Sequence, residues 1–214
     1  MTTLAVGICG GKRHGKDTAG EALLHHGFRK VSMADALKRA CAEAFGEPVE
    51  NFYDDALKEL PIEGLEQYGT RRHILQQCGT ELFRNNFPGI WINTLRRNMA
   101  RFGWNRIVIP DLRFQDELDF IRSFEHNLVL RIHRPEQAAR DAGQPDGHAS
   151  EQFYKVAPAD MTVVNDHSPA HLRGFVNQIV RAHFPILNEP QAYAENKRFA
   201  PIPEGFRFPT DGNA

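Results

Sequence analysis

Apolar and polar positions follow two rhythms along this chain. Short apolar runs, Leu4-Ala5-Val6-Gly7-Ile8-Cys9, Ile107-Val108-Ile109 and Leu128-Val129-Leu130, are bounded by charged or turn-forming residues, as buried strands are. Between them, apolar residues recur three or four positions apart, as on a half-buried helix. The pattern predicts strands over residues 4–9, 28–32, 106–111, 128–133 and 161–165. It predicts helices from the loop after the first strand to about His26, and over 34–45, 70–85, 90–102, 115–124 and 169–183. Gly27 and Gly46 follow helical stretches as C-caps do. In the helix over 70–85, Ile74, Leu75, Cys78 and Leu82 are expected on one apolar face. Residues 46–69, irregular, acidic and proline-containing, read as an insertion or a flexible cover, and 134–150 as a mobile loop. Strands alternating with helices predict a mainly parallel sheet covered on both faces, with ligands at the carboxyl ends of the strands.

The first strand runs into Gly10-Gly11-Lys12-Arg13-His14-Gly15-Lys16-Asp17-Thr18, and a helix follows. A glycine-framed loop with lysine between strand and helix is the phosphate-cradling P-loop context. Glycines let backbone N–H groups turn toward an anion, and the helix start adds partial positive charge. Lys16 then reaches the outer phosphates of a nucleoside triphosphate, and Lys12 and Arg13 add charge. The fold class expected is a three-layer α/β P-loop NTPase fold with a five-stranded sheet and lid insertions. Asp17 stands where the general motif has Ser or Thr; as a hard oxygen ligand it suits Mg²⁺, with the Thr18 hydroxyl near the inner phosphates.

Composition narrows the setting. The 214 residues suffice for one such domain, and 41% hydrophobic and 25% charged residues are ordinary for a globular protein. A formal net charge of −1 gives no support for bulk binding of nucleic acid. Three cysteines without paired spacing argue against a disulfide scaffold or zinc site and suit a reducing compartment. No apolar run is long enough to span a membrane, and the first strand leaves no room for a secretory leader. The expected location is the cytoplasm. The proline- and phenylalanine-containing residues 184–214 read as an extended tail that packs on the domain or on a second copy in a homodimer.

Further candidates lie beyond the loop. Asp111, at a strand end, is placed to orient a substrate group or to hold Mg²⁺ through water. Lys38, Arg71, Arg72, Arg84, Arg113 and Arg134 lie near predicted element ends, where phosphoryl transfer needs cations. Each alone is as readily a solvated surface charge. Gln76 could present its amide to a base edge and Trp91 could stack on a base, although a lone Trp is equally a core residue. His148 and Glu151 have half the spacing of a metal site, with no ligands to complete it.

Taken together, the motifs resemble those of the bacteriophage deoxynucleoside monophosphate kinases. Four blocks carry the resemblance: Gly10 to Thr18 with its Gly-Lys-Asp-Thr ending; Ala34-Asp35-Ala36-Leu37-Lys38; Arg71 to Glu81, running on to Asn85-Asn86-Phe87 and Trp91; and Ile107 to Arg113 with Glu117 four residues on. The resemblance covers about residues 4–183 and implies a single kinase-like domain. It implies transfer of the γ-phosphoryl group of ATP to a deoxynucleoside 5′-monophosphate, with Mg²⁺, for DNA precursor synthesis. Gly10, Gly11, Lys12, Arg13, His14, Gly15, Lys16, Asp17 and Thr18 would hold ATP, with Asp17 at the metal. Asp35, Lys38, Arg71, Gln76, Thr80, Arg84, Trp91, Asp111 and Arg113 would hold the acceptor. Lys16, Arg13, Asp111, Arg113 and Arg134 would act in catalysis, Arg134 from the lid that excludes water. Two other classes compete: kinases of other phosphorylated acceptors, of the dephospho-coenzyme A or phosphomevalonate type, and a P-loop ATPase or nucleotide-binding module.

Overall fold

Five parallel strands in the order β2-β3-β1-β4-β5 form the only sheet among the residues that the computed structural model describes, 2–141 and 152–188. β1 (Leu4–Cys9) is central. It pairs with β3 (Arg106–Ile109) from Leu4 opposite Arg106, and with β4 (His126–His133) from Leu4 opposite His126. β2 (Arg29–Lys30) and β5 (Met161–Val164) form the edges. All six β1 residues are buried, which is why the run is continuously apolar rather than alternating.

Successive β1 side chains feed two cores. Leu4, Val6 and Ile8 pack with Ala19 and Leu23, and with Leu172, Val176 and Val180 of the last helix. Ala5 and Cys9 pack on the other face, with Ile92, Leu95, Leu118 and Ile121. The helices are α1 (Lys16–Glu21), α2 (Ala34–Phe45), α3 (Arg71–Gln76), α4 (Ile90–Phe102), α5 (Gln115–Arg122), α6 (Pro135–Asp141), α7 (Phe153–Val156) and α8 (Pro169–His183). The result is the three-layer P-loop fold expected from the element order. None of these helices is long and apolar enough to cross a membrane.

Several expectations need correction. The helix after the loop stops at Glu21 and finishes as a 3₁₀ turn over Leu24–His26, capped by Gly27 at φ 76°. That turn buries Leu23, exposes Leu24, and brings Phe28 onto the core. β2 is shorter than residues 28–32, β3 ends at Ile109, β4 begins at His126, and α5 ends at Arg122, followed by Ser123, whose hydroxyl donates to the Phe120 carbonyl at 2.7 Å. The helix over 70–85 is α-helical only to Gln76 and continues as a π-helix over Gln77–Arg84. The wider turn leaves Leu82 54% exposed, and Phe83 instead packs on Trp91, 5.5 Å between ring centres.

Residues 46–69 are not a loose insertion. They form short 3₁₀ turns, and Phe52 and Ile62 are buried with Leu37 and Cys41 of α2 and Ile74 of α3 in a third core. The expected loop after β4 opens with helix α6, with Pro135 at its first position, where the missing N–H costs nothing. His148 and Glu151, and the tail from residue 189, lie outside the described residues. The tail's first part is described: Phe184 is buried against Phe28.

Candidate functional site

At the carboxyl ends of the central strands lies a cleft of about 820 Å³, within the roughly 300–1,000 Å³ of small-molecule sites. One wall is the loop between β1 and α1. Its backbone turns sharply: Arg13 lies at φ 61° and Gly15 at φ 100°, a region that favours glycine. A Cβ on Gly10 would stand 2.5 Å from the Ile132 carbonyl oxygen, so this approach of loop to β4 requires glycine. Asn165 braces the loop from beyond β5, its amide donating to the His14 carbonyl at 2.9 Å. The His14 side chain points inward: it is 1% exposed, with Nδ1 3.2 Å from the Ile132 carbonyl and 3.4 Å from the Arg134 backbone nitrogen. His14 therefore ties the loop to the start of α6 rather than lining the cleft.

Lys16 opens α1. Its Nζ donates to the Gly11 carbonyl at 2.8 Å and stands 3.4 Å from Asp111 Oδ1. Asp111 follows β3 and also accepts from Arg113 Nε at 2.5 Å. Burial alone would raise its carboxyl, but Arg113 and Lys16 outweigh this and hold it below the usual carboxylate range. Asp17 is 77% exposed at the cleft, 3.1 Å from Lys30 Nζ.

The opposite wall comes from α2, the 46–69 segment and the π-helix. Asp35 accepts from the Tyr53 hydroxyl at 2.9 Å, and Lys38 Nζ lies 3.9 Å from the Tyr53 ring centre. Burial pushes the Lys38 ammonium below its ordinary range. Gln76, Thr80 and Trp91 line this wall, and the Trp91 indole donates to the Gly79 carbonyl at 3.3 Å. Arg84 donates to both Asp116 oxygens at 2.6 Å and to Glu117 Oε1 at 2.8 Å, and its guanidinium lies 3.7 Å from the Phe114 ring centre.

The cleft thus brings together Gly10, Lys12, Arg13, Gly15, Lys16, Asp17, Thr18, Asp35, Lys38, Gln76, Thr80, Arg84, Trp91, Asp111, Arg113 and Arg134. It does not bring Arg71, which is a correction to the expected acceptor set. Arg71 is 7% exposed and turned away. It donates to Glu47 at 2.6 and 3.0 Å and to the Pro61 carbonyl at 2.9 Å, pinning the 46–69 segment. Its neighbour Arg72 lines the cleft instead, 2.8 Å from Glu59, which also lies 3.4 Å from Lys12 Nζ. Residues that the sequence reading did not assign are Lys30, Tyr53, Lys58, Glu59 and Glu117. Among the described residues ten cationic and six acidic side chains line the cleft, an excess of positive charge in a chain of net charge −1.

This arrangement has known relatives. A family model of deoxynucleotide monophosphate kinases matches residues 62–175, just over half of the chain. A putative deoxynucleotide monophosphate kinase of Acanthamoeba polyphaga mimivirus is 34% identical over 193 residues, covering 82% of this chain and 93% of that protein. The chain belongs to the deoxynucleotide monophosphate kinases. The deoxynucleotide monophosphate kinase of Enterobacteria phage T4 is 27% identical over 111 residues, covering 50% of this chain and 44% of that one. Among solved structures, shikimate kinase from Aquifex aeolicus matches with a TM-score of 0.46 and 12% identity, over 84% of this chain and 97% of that one. The kinase family match includes the wall with Gln76, Thr80, Arg84 and Trp91 and the strand end with Asp111 and Arg113.

Proposed function

We propose that this cleft transfers the γ-phosphoryl group of ATP to a deoxynucleoside 5′-monophosphate, giving ADP and the deoxynucleoside diphosphate. The observation that supports it best is the pairing of two anion-binding walls in one cavity, the loop with Lys16 on one side and Lys38, Arg72, Arg84 and Arg113 on the other. The loop amides, Lys12, Arg13 and Lys16 hold the ATP phosphates. The second wall holds the acceptor phosphate, with Gln76 and Trp91 at its base or sugar. Asp111 orients the acceptor between Lys16 and Arg113. Arg134, beside the start of α6, belongs to the cover that keeps water from the phosphates. No protein nucleophile is needed, because positioning and fixed charge carry phosphoryl transfer.

The donor set fits Mg²⁺. Asp17 and Thr18 offer a carboxylate and a hydroxyl at the cleft, hard oxygens of the kind that share this ion with substrate phosphates. Asp17 and Thr18 would hold it, and when bound it supplies charge neutralisation across the phosphate oxygens.

Several cleft cations are held by carboxylates: Lys12 and Arg72 by Glu59, Lys30 by Asp17, Lys58 by Asp55, and Arg113 by Asp111. Nucleotide phosphates replace these partners, so binding exchanges one set of charge pairs for another.

A panel of acceptors with ATP, read by ADP formation, tests the reaction. ADP appears with one or more deoxynucleoside monophosphates. Activity only with dephospho-coenzyme A or phosphomevalonate, or hydrolysis driven by DNA and indifferent to the monophosphates, overturns it. Within the same assay Arg113→Ala raises KM for the monophosphate by about 10- to 100-fold, the scale of one lost charge-assisted contact. KM for ATP stays near the wild-type value; a shift in ATP alone would move Arg113 to the donor side.

A further inference from the structure

Glu117 stands apart from the other carboxyl groups of the cleft. Among the described residues it is the only buried one of them, at 3% exposure. It sits in the first turn of α5, and its two oxygens serve different elements. Oε1 accepts from Arg84 Nη2 of the π-helix at 2.8 Å, and Oε2 accepts from the backbone N–H of Arg113 at 2.8 Å. Arg84 is thereby held from two sides, by Asp116 through Nη1 and by Glu117 through Nη2, above the Phe114 ring. One carboxyl group thus joins two cations of the acceptor wall that are 29 positions apart in sequence. A buried carboxylate is a costly way to fasten a helix, since an apolar side chain of similar volume would pack there at no desolvation cost.

Resting on the kinase reading above, we propose that Glu117 is a positioning residue that aims Arg84 and the Arg113 turn at the acceptor phosphate, and that it does so as the carboxylate. Both of its partners are N–H donors. A carboxylate accepts from both; a protonated carboxyl turns a hydroxyl against one of them. The groups facing it are Arg84 from the π-helix, Arg113 and Asp111 from the β3–α5 turn, and Asp116 on its own helix. Burial pushes the Glu117 carboxyl up to about 7; the Arg113 N–H and Arg84 pull it down, and Asp116 and Asp111 push it further up. The array therefore sharpens as pH rises through neutrality.

The test compares wild type, Glu117→Gln and Glu117→Asp in steady-state kinetics with a deoxynucleoside monophosphate and ATP across pH, alongside thermal melts. Glu117→Gln raises KM for the monophosphate about tenfold or more, leaves KM for ATP within about twofold, and removes the acid limb that Glu117 adds to the wild-type profile of kcat/KM. Titration of the monophosphate itself is common to all three proteins and cancels. Glu117→Asp, which keeps the charge, recovers part of the loss and keeps the limb. Unchanged acceptor KM with an unchanged profile overturns the role of Glu117 alone. So does an equal rise in both KM values, or a loss of kcat that only tracks a lower melting temperature. A wild type that phosphorylates no monophosphate overturns the kinase reading, and this role with it.

Discussion

Replacing Lys16 with alanine lowers turnover by about a thousandfold, the upper end for one preorganised charge-stabilising donor, and leaves the protein folded. The Lys16 side chain is 11% exposed, with its ammonium between the Gly11 carbonyl and the Asp111 carboxylate. That places a full positive charge at the end of β3, where the proposed reaction puts the donor phosphates, in surroundings that screen it poorly. Alanine favours the helix that Lys16 begins, and Asp111 keeps Arg113 as its partner. The loss therefore falls on the transferring phosphoryl group rather than on stability. Coupled ADP detection reads turnover, and circular dichroism with a thermal melt reads the fold. Turnover within tenfold of wild type would remove Lys16 from the chemistry.

Arg71→Ala acts on stability instead, lowering it by about 1.5–3 kcal/mol, the scale of hydrogen bonds to a charged group. The Arg71 and Glu47 side chains are 8% and 16% exposed. Arg71 also donates to the Leu57, Leu60 and Pro61 carbonyls, so the variant leaves the half-buried Glu47 carboxylate with Asn51 alone and takes the side-chain donor from those carbonyls. Asn51 and Arg71 hold the Glu47 carboxyl below its ordinary range. A depressed carboxylate stabilises the fold above its unfolded-state pKa and loses that contribution as pH falls through the folded one. The gap between wild type and Arg71→Ala in urea unfolding therefore narrows toward acid. Unchanged stability together with a raised KM for the monophosphate would return Arg71 to the acceptor site.

Most of the layered fold was legible because its signals are local. β1 is a buried run before a glycine loop, α2 has an apolar face and ends at Gly46, and α8 begins with Ser168 capping the His171 N–H before Pro169. The π-helix was not legible: Gln77–Arg84 carries the same apolar spacing as an α-helix, and its wider turn emerges only where Phe83 meets Trp91. Arg71 and Arg72 are chemically alike neighbours pointing about 100° apart on one helix. Which of them faces the cleft depends on Glu47, far off in sequence. Glu117 is marked in the sequence only as part of the block after Arg113; its burial, and so its role, is set by Arg84 and the Arg113 turn.

The central position of β1 also governs when the protein can assemble during synthesis. β1 is made well before its neighbours in the sheet, which begin at Arg106 and His126. At about 5–20 residues per second on the ribosome, β1 waits on the order of 5–20 s for both of them. Through that interval its uniformly apolar run has no sheet to enter, and the loop has no Ile132 carbonyl to close against. The loop after β1 is therefore translated well before the strands that close it, and takes its shape only once β3 and β4 have followed.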